Sequence, residues 1–196
     1  MPLEFIELPP DEMGYPALPV TTYRGVIWDL SHLTPFAFKV DPGLGFSVDV
    51  VVLFSCHCFT HSFVRDERSN NAIPDDEIYQ DSRERRILDP VRYALSRELL
   101  PRLVHQLPEQ RIIVANENQR NFMVWELQPA TGTVPISAYA VFFDVEKDNR
   151  RKCRLILRIQ SAYLLTEGLT KRQKNTKKVG WNTLLKAAYD KRMIRP

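Results

Sequence analysis

The segment Phe54-Ser55-Cys56-His57-Cys58-Phe59-Thr60-His61 gathers thiols and imidazoles into eight residues. A histidine titrating near neutral pH can take or give a proton, so His57 and His61 are candidates for a base and an acid. On a regular strand they share a face about 13 Å apart, at roughly 3.3 Å per residue. A bend after Phe59 would bring them nearer one reacting atom. Two cysteines and two histidines also invite zinc. Strand alternation, however, puts Cys56 and Cys58 on one face and His57 and His61 on the other, so a tetrahedral site would need the strand to break. No metal is therefore assigned, and the sulfurs are read as small apolar packing groups. The odd cysteine count and the close spacing of Cys56 and Cys58 favour reduced thiols in a cytoplasmic protein.

A second group lies in Arg154-Leu155-Ile156-Leu157-Arg158-Ile159-Gln160-Ser161-Ala162-Tyr163. Alternation places Arg154, Ile156, Arg158 and Gln160 on one face and Leu155, Leu157, Ile159, Ser161 and Tyr163 on the other. Arginine offers a planar, permanently charged fork suited to phosphate. Arg158 is the candidate for that role, whereas Arg154 reads as a solvated or acid-paired residue.

A third group is the C-terminal run of cations, with Lys171, Arg172 and Lys174 before Trp181. The net charge of +3 hides a divided chain: residues 1–146 carry −9 and residues 147–196 carry +12. Lys39 is followed by no lysine until Lys147, and the other eight lie from there on. Such asymmetry points to RNA, DNA or an acidic protein as partner, or to a basic tail folded back on an acidic body. Cations beside one aromatic suit backbone contact and base stacking, which favours RNA.

The elements that must position these residues follow from periodicity. With 196 residues, 44% hydrophobic and 26% charged, the chain is long enough to bury a core without staples, and collagen-like, coiled-coil and wholly disordered classes are excluded. Apolar runs such as Val50 to Phe54 are far too short to span a bilayer, and the N-terminus lacks signal-peptide character. Residues 1–23 are rich in proline and read as an extended arm. Strand-like pieces lie at 24–30 and 35–40, and a long strand at 45–62. Residues 65–86 are charged with little to bury and read as a mobile loop. Asp89-Pro90 starts a helix with Val91, Leu95 and Leu99 inward, and Pro101 predicts a kink or restart. Segments 111–115, 121–127, 136–146 and 153–164 read as an antiparallel meander. A basic helix over 181–193 turns Trp181, Leu184, Leu185 and Ala188 inward. The expected architecture is thus α+β: one domain over 1–164, with 165–196 as a docked basic appendage.

A helix followed by a four-stranded antiparallel meander resembles the core of the metal-independent ribonuclease and toxin group that includes barnase, EndoU, colicin nucleases and RelE-type toxins. The segment Arg158-Ile159-Gln160-Ser161-Ala162-Tyr163 is similar to the Ser/Thr-x-Tyr element of EndoU-type enzymes. The resemblance implies His57 and His61 as acid and base, and Ser161 and Tyr163 as base-contacting residues. The lysine of that family would be replaced by Arg158 or Lys152. A RelE-like variant would instead use Arg92, Tyr93, Tyr139, Arg158 and Tyr163.

The resemblance further implies a toxin or defence effector that cleaves RNA by attack of the 2′-hydroxyl, with no cofactor and with an inhibitor or antitoxin protein as partner. The other readings are a non-catalytic RNA- or DNA-binding protein and a protein-interaction module. No G-x-S-x-G elbow or phosphate-binding glycine loop occurs.

Overall fold

The computed structural model describes residues 3–7, 17–116, 121–128, 137–176 and 178–194. The stretches 1–2, 8–16, 117–120, 129–136 and 195–196, with Lys177 and the side chain of Arg172, lie outside the described residues.

The apolar run Val50–Phe54 is satisfied by burial on both faces, and it makes up most of the inner strand β5 (Val48–Phe54) of a mixed sheet. Before it come β1 (Glu4–Ile6), β2 (Thr21–Tyr23), β3 (Val26–Trp28) and β4 (Phe36–Val40). After it come β6 (Thr60–His61), β7 (Ile78–Gln80), β8 (Arg85–Leu88) and helix α1 (Pro90–His105). The meander follows as β9 (Ile112–Asn116), β10 (Asn121–Gln128), β11 (Ser137–Lys147) and β12 (Arg154–Leu165). The chain then adds α2 (Lys171–Asn175), β13 (Lys178–Val179) and α3 (Trp181–Tyr189).

The eight-stranded sheet has the order β1-β4-β5-β12-β11-β10-β9-β13. The α+β class and the four meander strands stand as read, and β5 joins them by pairing parallel to β12. One face carries the principal core, to which α1 contributes Leu99, Leu100, Leu103 and Val104, and α3 contributes Trp181, Leu184, Leu185 and Ala188. The opposite face holds two smaller clusters, one of Ala37, Val51, Leu53 and Ile156 and one of Ile113, Met123 and Ala140.

Several expectations are corrected. The strand expected over 45–62 ends at Phe54, because Cys56–Cys58 turns into a 3₁₀ segment whose first N–H groups are met by Ser55. Residues 65–86 do bury side chains: Glu77, Ile73 and Tyr79 are enclosed, and β8 pairs with β6 on one side and β7 on the other in a three-stranded sheet. Arg24 and Gly25 take left-handed backbone at the β2–β3 hairpin, the geometry of a tight primed turn, and Arg24 reaches Glu77 at 2.6 Å. Asp89 caps α1 as its spacing predicts, accepting from Val91 N and Arg92 N. The helix nevertheless runs unbroken through Pro101, and Val91 is exposed instead of inward. In residues 165–196, expected as a docked appendage, α3 packs on the principal core through Trp181, Leu184, Leu185 and Ala188, and β13 extends the main sheet.

Candidate functional site

Beyond the carboxyl end of β5 lies a cleft of about 570 Å³, lined among others by Ser55, Cys56, Arg83, Glu84 and Arg158. Three local features build it. The 3₁₀ turn at Cys56–Cys58 moves the main chain out of strand geometry. The turn before β8 is pinned by Asp81, whose carboxylate accepts from Arg83 N and Glu84 N, and this presents Glu84 toward the turn. The third is the register of β12, where Arg158 lies opposite Leu53 on one side and Asp144 on the other.

His57 Nε2 lies 2.7 Å from Glu84 Oε2, with the two side chains 31% and 40% exposed, so the pair is held yet reachable. Arg86 Nη1 approaches the same carboxylate oxygen at 3.3 Å, and Arg86 Nε donates to Thr60 Oγ1. Cys56 is buried beside this pair. Burial, followed by the charge of Glu84, pushes its thiol up to about 11, the opposite of an activated nucleophile. Cys58 is fully enclosed, and burial pushes it up to about 12. One ligand atom each from Cys56, His57 and Glu84 lie within 4.8 Å of one another, the cluster among the described residues with metal-ligand chemistry. The objection from strand alternation fails here, because the strand does break and the third group comes from residue 84, which no local spacing links to Cys56.

Arg158 bonds Glu146 at 3.3 Å and lies 3.7 Å from Asp144. Burial raises the Asp144 carboxyl, and Arg158 opposes that rise. Arg154, by contrast, is buried. A bulge at Gln160 shifts the β11–β12 register between Phe142 and Phe143. The extra residue turns Ser161 and Tyr163 to the face of Arg158, whereas uninterrupted alternation opposes them, and Ala162 enters the principal core.

The second histidine belongs to a neighbouring cluster. His61 Nδ1 lies 3.2 Å from Asp89, and its Nε2 lies 3.1 Å from Asp66. Asp66 is tied to Arg68, whose side-chain and backbone donors hold its carboxyl well below the ordinary range. Arg92 donates to the carbonyls of His57 and Thr60, and its guanidinium lies 4.8 Å from the centroid of the Tyr163 ring. Arg65 approaches the same ring at 5.6 Å, and Phe142 stacks on it at 5.4 Å.

The structure thus joins His57 to the Arg158 cleft through Glu84, and joins His61 to Arg92 and Tyr163. The two histidines occupy adjoining polar clusters linked by Arg86, Thr60 and Arg92. Other candidates fall elsewhere. Tyr139 is wholly buried, and Tyr93 stacks on Trp28 at 4.1 Å with its hydroxyl donated to Asp29 O. Trp181, expected to stack on a base, is 4% exposed inside the core. Lys171 and Lys174 are exposed on α2, which packs beside β9, the third strand over from β12. Sequence reasoning missed Glu84 and Arg83; the signal was the Asp81-Ser82-Arg83-Glu84 turn, hidden within a charge-rich run.

These features define an α+β domain with a histidine–carboxylate pair at the rim of an arginine-bearing cleft. The YjaZ family model matches residues 20–189, from β2 through α3, and the chain belongs to that family. No curated protein and no solved structure matches the chain. Among the described residues no helix is long and apolar enough to cross a membrane.

Proposed function

We propose that the cleft cleaves RNA by internal attack of the 2′-hydroxyl on the adjacent phosphate. The observation that carries the reading is the half-exposed His57–Glu84 pair, whose Glu84 lines the cleft together with Arg83 and Arg158. A carboxylate fixes the orientation of the imidazole and stabilises the imidazolium formed when His57 takes the hydroxyl proton. Arg158 and Arg83 meet the charge that builds on the phosphate oxygens. The proton held on His57 is then available to the departing 5′-oxygen, which closes the proton balance. Arg92 and Tyr163 form a neighbouring platform for an unpaired base.

The test is incubation of full-length protein with total RNA in excess chelator. Cleavage is expected in the wild type, with a fall of at least about 100-fold in His57→Ala and a smaller fall in Glu84→Gln. Intact RNA in the wild-type reaction overturns the reading. The exposed lysines of α2 support a second reading, RNA binding without cleavage. It predicts binding that survives His57→Ala and weakens in a Lys171→Ala, Lys174→Ala double variant.

A further inference from the structure

We propose that Cys56, His57 and Glu84 form a zinc site, with its fourth coordination position open to the cleft. Their ligand atoms lie within 4.8 Å of one another. Tetrahedral zinc holds sulfur at about 2.3 Å and nitrogen or oxygen at about 2.0–2.2 Å, which separates neighbouring ligand atoms by about 3.3–3.6 Å. Closing the widest separation to that range takes about 1 Å of side-chain movement, within what rotation of a glutamate and a histidine supplies. One thiolate, one imidazole and one carboxylate suit zinc better than magnesium or calcium, which prefer oxygen alone.

The surroundings fit the charge balance. Zinc binding displaces the Cys56 proton to solvent, and the metal meets two anionic ligands and one neutral one. Arg86 steadies the Glu84 carboxylate at 3.3 Å, the kind of outer contact that orients a ligand. Asp81 fixes the turn that carries Glu84. Three protein ligands with an open position are the composition of a reactive zinc centre, not a closed structural one. Cys58 is wholly buried and takes no part in the cluster.

The site stands independently of RNA cleavage, but one consequence rests on that reading. Zinc and the 2′-hydroxyl proton compete for His57, so bound zinc suppresses the cleavage proposed above. The ion is then a regulator of the cleft, released by chelation.

Titration of the full chain with Zn²⁺ against a chromophoric chelator tests the site. One equivalent is expected, weakened at least about 100-fold by Cys56→Ser and by Glu84→Gln, and unchanged by Cys153→Ser, which removes the exposed thiol. Co²⁺ in place of Zn²⁺ should give a thiolate charge-transfer band that Cys56→Ser abolishes. Failure to bind one equivalent, or binding that follows Cys153 instead of Cys56, overturns the proposal. Circular dichroism checks each fold; should Cys56→Ser unfold, Glu84→Gln, on a half-exposed side chain, decides. In the RNA assay, zinc should suppress the wild type and spare Cys56→Ser. Zinc that binds through Cys56 without suppressing cleavage overturns the regulatory consequence alone. Absence of cleavage overturns the nuclease reading and leaves the binding result to judge the site.

Discussion

Asp66 ties the His61 cluster to the buried Glu77, since one oxygen meets His61 and both meet Arg68, which also holds Glu77. The Arg68 donors keep the Asp66 carboxyl ionised to well below the ordinary carboxylate range. A folded value below the unfolded one means that ionisation stabilises the fold fully above about pH 4, and that this is lost as pH falls through the acid range. Asp66→Asn should therefore lower stability at pH 7, and its gap from wild type should narrow steadily below about pH 4. Urea denaturation at pH 7 and pH 3 checks this; an equal gap at both would show that the ionised form contributes nothing. Single residues of this kind were only partly legible in the sequence. His57 stood out by type, whereas Glu84 was one acid among many until the Asp81 turn aimed it.

At the scale of elements, local chemistry decided most boundaries. Asp89-Pro90 marks the start of α1 because a carboxylate beside free N–H groups, followed by proline at the first helical position, stabilises a helix in any tertiary setting. Pro101 shows the converse. Its missing N–H cannot reach Arg97 O, yet burial of Leu99, Leu100, Leu103 and Val104 keeps the helix whole around it. Pro101→Ala is expected to stabilise the protein by up to about 3 kcal/mol, read as a raised urea midpoint. An unchanged or lower midpoint would show that contacts of the ring outweigh the lost hydrogen bond. The 3₁₀ turn at Cys56–Cys58 and the bulge at Gln160 were illegible, because both interrupt alternation in stretches whose composition suits a strand.

For the whole molecule, the C-terminal quarter is structural before it is anything else. Trp181 sits in the principal core with Leu184 and Leu185, so Trp181→Ala should cost about 3–5 kcal/mol in thermal or chemical unfolding. A loss below about 1 kcal/mol would mean that α3 is only loosely docked. The same placement makes truncation after residue 165 a folding lesion, and leaves the α2 lysines as the proper probe of electrostatic partners. If both contact single-stranded RNA, Lys171→Ala with Lys174→Ala should reduce the log–log salt slope by about 1.4. An unchanged slope removes α2 from the interface.

The sequence by itself determined the α+β class, the four meander strands, the capped helix and the inward face of α3, because each rests on periodicity or capping that acts between near neighbours. The charge division was also written there, but not its meaning, since a cation count does not say which aromatic is buried. Only the tertiary structure decided that Glu84 meets His57, that Cys56 joins them, and that Ser161 and Tyr163 turn to the face of Arg158. Those relations depend on a broken strand, a pinned turn and a bulge. Each is a small local departure whose consequence appears only when distant segments pack together.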